Sequence, residues 1–169
     1  NVISGVYKPA SGTIRFRGKE INGLPPHAIS RLGISRTYQI PQPFSSLTVL
    51  QNLLVAAQCG GRLEKAAAES EANRVLEITE LSERKDVPAR DLTLLDLKRL
   101  ELARALSGKP RLLLVDEVAA GLTEVEIPRL LEILRTIRKM GITVILIEHV
   151  VTVMMRAVDR LIVLNEGKT

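Results

Sequence analysis

The segment Leu112-Leu113-Leu114-Val115-Asp116-Glu117 runs four apolar residues straight into two carboxylates. Such a run reads as a strand buried on both faces of a sheet. Ligands of open α/β sheets bind at the carboxyl ends of the strands, where these two acids fall. There Asp116 can hold the water shell of Mg²⁺. Glu117 can polarise a nucleophilic water. The plainer alternative is two acids that cap the following segment.

Two further segments bear on the same place. Ile145-Leu146-Ile147-Glu148-His149 delivers one histidine to the end of a second apolar run. If the two runs are neighbouring strands, His149 shares a rim with the acids and can contact a transferring phosphoryl group. Otherwise it is an ordinary structural histidine. Arg36-Thr37-Tyr38-Gln39 precedes a Pro-rich loop, Gln39 to Pro43. A glutamine at a strand end can reach a metal or a water, but alone it is a weak signal.

Phosphate chemistry of this type also calls for a glycine-rich loop, G-x-x-x-x-G-K-[ST]. None is found. Gly167-Lys168-Thr169 has Ile162 where the first glycine belongs, and Gly18-Lys19 has Thr13 there.

The elements that must position these residues follow from periodicity. Thr13 to Lys19 alternates as a half-buried strand, and Pro25 to Leu32 predicts a short helix stopped by Gly33. Ile34 to Tyr38 predicts a strand. Helices are expected over Thr48 to Ala57, Leu63 to Leu81 and Leu97 to Leu106, with a polar linker over Ser82 to Arg90. From there the order is strand (Arg111 to Val115), helix (Ile127 to Met140), strand (Ile142 to Ile147), helix (Val150 to Val158) and strand (Leu161 to Leu164). The strand at Ile142 to Ile147 is expected to be buried on both faces. The opening Asn1-Val2-Ile3 reads as mid-helix. Alternating strands and helices predict a parallel sheet with helices on both faces.

Composition limits the classes. The chain has 169 residues, the size of one domain. Hydrophobic residues make up 46% and charged residues 25%, which excludes a disordered chain. No apolar run reaches the roughly 20 residues of a membrane helix. The single cysteine, Cys59, forms no internal disulfide and fits a reducing compartment. The net charge of +5 is scattered and lacks interleaved aromatics, so no nucleic-acid partner is expected.

Taken in order, these segments resemble the ATPase of an ATP-binding cassette (ABC) transporter. The order is a glutamine loop at Gln39, a helical insertion, a signature segment, Leu112 to Glu117, Ala119 to Thr123 and His149. Ile3-Ser4-Gly5-Val6-Tyr7-Lys8-Pro9, Leu24 to Ile29, Arg31 to Gln39 and Leu47 to Asn52 are similar to the branched-chain amino acid importer type. Lipopolysaccharide-export and urea-import ATPases are the near alternatives. A soluble ABC ATPase acting on nucleic acid or ribosomes is another.

The resemblance implies a P-loop NTPase-like α/β fold. It has a mostly parallel sheet, an N-terminal antiparallel β segment and an α-helical subdomain, truncated at both ends. Residues 1–46 and 107–169 would form the core with the β segment, and 47–106 the helical subdomain. The ligands implied are ATP and Mg²⁺. Gln39 and Asp116 would contact the metal, Glu117 would be the general base, and His149 would sense the phosphoryl group. Thr93, Asp96 and Gly121 would meet the nucleotide of a partner ATPase across a head-to-tail dimer. Further partners would be two membrane permease subunits and, indirectly, an extracytoplasmic substrate-binding protein. The expected location is peripheral, on the cytoplasmic face of a bacterial or archaeal inner membrane.

One departure stands out. The family's signature LSGGQ is replaced by Leu92-Thr93-Leu94-Leu95-Asp96. Cβ atoms at Leu94 and Leu95 make a close backbone approach to phosphate harder. The glycine-rich loop is expected upstream of Asn1, and the 169 residues alone are expected to be inactive as an ATPase, a non-enzymatic remnant if the native chain lacks that loop.

Overall fold

The computed structural model describes residues 1–167, so Lys168 and Thr169 of the rejected phosphate-loop match lie outside the described residues. Its centre is a three-stranded parallel sheet in the order β3 (Ile34–Arg36), β4 (Leu112–Asp116), β5 (Thr143–Ile147). Register is continuous: Leu114 sits opposite both Arg36 and Ile145. Asp116 is opposite Ile147, so β4 and β5 end together and place Glu117 and Glu148 on one rim.

Helices α2 (Val49–Cys59), α3 (Lys65–Ile78) and α4 (Leu94–Ser107) intervene between β3 and β4 and pack on one another. Helix α5 (Ile127–Lys139) connects β4 to β5, and α6 (Val151–Ala157) follows. The start of α2 is sharply defined. The Thr48 hydroxyl accepts from the Gln51 amide, and the Gln51 side chain accepts from the Thr48 amide. This reciprocal box satisfies two otherwise orphaned donors.

The two faces of β4 feed two cores. Leu113 and Val115 join Leu100, Leu102, Leu106, Leu130, Leu134 and Ile137 in the main cluster. Leu112 points the other way, into a small cluster with Ile21, Ile29 and Ile34 under α1 (Pro26–Arg31). The strand is therefore apolar along its length because both of its faces are covered.

Several expectations need correction. Thr13 to Lys19 is not one strand. It folds into a hairpin of β1 (Arg15–Phe16) and β2 (Lys19–Glu20) around Arg17 and Gly18, both at positive φ. A two-residue turn with both residues left-handed matches the twist of the strands it joins. Next, β5 is covered on one face only: Ile145 is 41% and Ile147 57% exposed. Leu161 to Leu164 forms no strand, and its four side chains are exposed. An apolar run becomes a strand only where a neighbour supplies a ladder, and none of the described strands pairs with it.

Lastly, Asn1-Val2-Ile3 is not mid-helix. The Val6 amide donates to the Asn1 carbonyl and the Gly5 amide to the Val2 carbonyl, the pattern of a helix C-terminus. Gly5 sits at φ +75°, and a Cβ there would lie 2.6 Å from the Leu24 carbonyl oxygen. Both the conformation and the space require glycine. The helix expected from Leu97 begins earlier, at Leu94, and the linker expected over Ser82 to Arg90 carries two short 3₁₀ turns, Ser82–Arg84 and Ala89–Asp91.

Candidate active site

Glu117 is the first residue past β4. Its amide donates to the Ile147 carbonyl at 2.9 Å, which fastens it to the end of β5. Its φ is +45°, the left-handed region that a glutamate rarely adopts. The turn throws the carboxylate off the strand axis and toward Gln39. Gln39 Nε2 donates to Glu117 Oε2 at 2.5 Å. His149 Nδ1 stands 3.9 Å from the same oxygen, with its ring two-thirds exposed. Three sequence-predicted residues from three loops thus meet at one carboxylate.

Asp116 occupies the last position of β4. Its amide donates to the Thr37 hydroxyl at 3.3 Å, and the Thr37 amide donates to the Leu114 carbonyl at 2.9 Å. Thr37 is buried and extends the β3–β4 ladder toward Gln39. The Arg36 guanidinium lies 3.7 Å from Asp116 Oδ2. It also donates to Asn1 Oδ1 and Ser4 Oγ, and stacks on Tyr38 at 4.5 Å. The Asp116 side chain remains about one-third exposed at the rim.

Lys98, from α4, reaches under this group. Its ammonium donates to the Gln39 carbonyl at 2.7 Å and to the Glu117 carbonyl at 3.4 Å. The residue is 2% exposed. Burial lowers its pKa from the usual lysine range, and the charges of Glu148, Glu101 and Glu117 oppose that shift. Beside it, Glu148 Oε1 accepts from the Ala119 amide at 2.9 Å. Its second oxygen is buried without a hydrogen-bond partner.

The remaining predicted residues lie elsewhere. Thr93 caps α4, its hydroxyl accepting from the Asp96 amide at 3.2 Å. Asp96 is buried, with Oδ1 3.3 Å from Arg99 and Oδ2 3.9 Å from Arg84. Neither makes a hydrogen bond or ion pair with the Gln39–Glu117 group among the described residues. Gly121, at φ +80°, lies against Leu94: a Cβ would fall 3.1 Å from the Leu94 side chain. It brings the loop after β4 to the start of α4.

Lys98 and Arg36 escape sequence reasoning as site residues. Lys98 reads as one of the scattered bases, and Arg36 only as part of the segment that leads to Gln39. The available signal was position: Arg36 stands three residues before Gln39, and Lys98 lies near the start of an amphipathic helix.

No group of three or more His, Cys, Asp or Glu able to hold a metal by itself occurs among the described residues. Hard-oxygen donors at Asp116 and Gln39 suit Mg²⁺, which takes one or two protein ligands and fills its shell with phosphate and water. The donor set fits a metal that arrives with a nucleotide.

A parallel sheet with an acidic pair on its rim, crossed by a glutamine loop and a histidine, is the arrangement that the resemblance to an ATP-binding cassette implies. The family model described as ABC transporter matches residues 1–120, and the chain belongs to this family. It is 38% identical to the "Probable branched-chain amino acid transport ATP-binding protein LivG" of Archaeoglobus fulgidus, over 99% of this chain and 69% of the relative. It is 36% identical to the high-affinity branched-chain amino acid transport ATP-binding protein BraF of Pseudomonas aeruginosa, over 99% of this chain and 71% of that one. Among solved structures, an ABC transporter cassette in its ADP conformation superposes with a TM-score of 0.87 at 30% identity, covering 99% of this chain and 71% of that one. A nucleotide-free cassette gives a TM-score of 0.82 at 27% identity, with the same coverage. The expected mixed α/β architecture with a parallel sheet and an antiparallel pair is the one found. No helix among the described residues is long and apolar enough to cross a membrane.

Proposed function

We propose that this chain is the ATP-hydrolysing subunit of an importer for branched-chain amino acids. The observation that carries the reading is the Glu117 carboxylate, held by Gln39 and facing His149 at the carboxyl end of β4. The relatives named above supply the transported class.

In this reading Mg²⁺ and ATP supply the γ-phosphoryl group and the charge neutralisation for its transfer. Asp116 offers a carboxylate oxygen to the metal. Gln39 spends its amide N–H on Glu117, which leaves its side-chain oxygen for the metal or a bound water. Glu117 has one oxygen engaged by Gln39 and takes the proton of the attacking water on its carboxylate. A positioned base contributes roughly 10²–10⁴-fold to such a step. His149, exposed and next to Glu117, is placed to contact the departing phosphoryl group.

Thr93, Asp96 and Gly121 would serve the nucleotide of a second ATPase in a head-to-tail dimer. The Thr93 oxygen accepts from the Asp96 amide, so its O–H stays available to donate across the interface. Residues 47–106 would act as the helical subdomain that carries this surface, and 1–46 with 107–169 as the core. Two permease subunits and an extracytoplasmic binding protein complete the machine, with this chain peripheral on the cytoplasmic side of the inner membrane.

The test is ATP turnover by the assembled transporter with its binding protein loaded with leucine, isoleucine or valine. Stimulation by these amino acids is expected. Stimulation by urea instead, or none by any of the three, rejects the substrate class.

A further inference from the structure

We propose that Lys98 is a positioning residue that staples the Gln39 loop to the Glu117 turn from beneath, so that the stance of α4 sets the geometry of the general base. The inference rests on the ATPase reading above and names a residue that acts through others.

The geometry carries it. Gln39 and Glu117 touch each other through their side chains, at 2.5 Å. Their backbones are joined a second time through one ammonium, at 2.7 Å to the Gln39 carbonyl and 3.4 Å to the Glu117 carbonyl. Both carbonyls belong to loop residues outside any strand ladder: Lys98 donates to the Gln39 carbonyl, and at the Glu117 carbonyl it is a second donor beside the Ala120 amide of the turn, at 3.2 Å. Glu117 also holds a left-handed φ, which persists only where the surroundings over-determine it. Lys98 is part of those surroundings.

Burying a lysine is costly. Packing alone would be served as well by an apolar side chain of similar length, since α4 is already lined with Leu95, Leu100 and Leu102. Two carbonyl acceptors and nearby Glu148, Glu101 and Glu117 explain why an ammonium stands here instead. Glu148 in turn holds the Ala119 amide, so the loop after β4 is fixed at two points, Glu117 and Ala119. The base then cannot shift without disturbing α4, and α4 cannot tilt without moving the base. Misplacing a reacting group by about 1 Å can cost on the order of 10²-fold in rate.

The test compares Lys98→Met and Lys98→Arg in the assembled transporter. Methionine keeps the apolar stem and removes every donor, whereas arginine keeps donors. For Lys98→Met, kcat is expected to fall about 10- to 100-fold while the KM for ATP moves by less than about twofold. Lys98→Arg is expected to restore much of the loss. Hydrogen–deuterium exchange supplies a readout that does not depend on turnover. Peptides covering 37–43 and 116–122 should exchange faster in Lys98→Met, with peptides of α5 unchanged. Unchanged kcat, or equal acceleration of exchange throughout the chain, overturns the proposal. So does a kcat loss that arginine fails to relieve. Glu117→Gln run in parallel separates the two readings. If it abolishes turnover and Lys98→Met does not, only the staple is wrong. If Glu117→Gln retains turnover, the ATPase assignment of Glu117 falls first.

Discussion

At the end of β4, Gln39, Glu117 and Lys98 come from three separate stretches of chain and spend polar atoms on one another, with His149 from a fourth stretch 3.9 Å from the Glu117 carboxylate. At the start of α4, Thr93 and Asp96 spend theirs close to home: Thr93 on the helix's own first turn, Asp96 on Arg99 one turn along and on nearby Arg84. The difference separates two kinds of polar residue. Local satisfaction stabilises the fold whatever else the residue does. Satisfaction across loops, around a left-handed glutamate with an open face, stabilises a geometry. Removing a member of the first group should cost stability, and removing a member of the second should cost rate.

The largest expected effect tests the second group. Glu117→Gln keeps the size of the side chain and removes the base. Turnover should fall by roughly 10²–10⁴-fold, with nucleotide binding and thermal stability close to the parent. A variant that hydrolyses ATP at the parent rate would break the comparison.

The next effect belongs to the first group. Asp96→Asn removes the charge beside buried Arg99, which then keeps Glu80 as its remaining carboxylate partner. The asparagine oxygen still accepts from Arg99 but loses the charge that about doubles such a bond, so a loss of about 1 kcal/mol is expected in chemical denaturation. A loss of turnover with unchanged stability would move Asp96 into the other group.

Thr93 can be split between the two roles. Thr93→Ala should cost about 1 kcal/mol through the lost cap. Thr93→Asp keeps a good cap but removes the hydroxyl donor. Parent-like melting with reduced turnover in Thr93→Asp would assign the hydroxyl a part in the dimer's chemistry. Parent-like values for both would leave it a cap only.

The smallest effect concerns Glu126, on the surface at the start of α5. The Thr123 amide and hydroxyl both donate to its carboxylate and hold its pKa below the ordinary 4.5. A lowered folded pKa gives stability that is present above the unfolded value and is lost as pH falls through the folded one. Glu126→Gln should therefore lower Tm slightly at neutral pH, and the gap should close in acid. A gap that does not change with pH would point to packing rather than charge.

How much of this was legible beforehand depends on where each signal sat. Asp116, Glu117 and His149 could be read because acids or a histidine directly follow apolar runs, and the run and the residue are neighbours in sequence. Lys98 could not. A lysine in an amphipathic helix reads as solvated, and only the approach of residues 59 and 19 positions away shows that it is enclosed. The β1–β2 hairpin was missed for a local reason: Arg17 takes a left-handed conformation normally left to Gly, Asn or Asp. Leu161 to Leu164 misled in the opposite direction, because its composition suits a strand while no described strand pairs with it.

The amino-acid sequence alone determined the order of helices α1 to α6 and of β3, β4 and β5, the apolar character of β4 and the chemistry available at its end. Those depend on side-chain period and on which residue follows which. Tertiary structure decided which face of β5 is covered, that Glu117 turns left-handed toward Gln39, and that Lys98 lies beneath both. Those outcomes depend on pairings across long stretches of chain, where burial and hydrogen-bond satisfaction select among conformations that local sequence leaves equal.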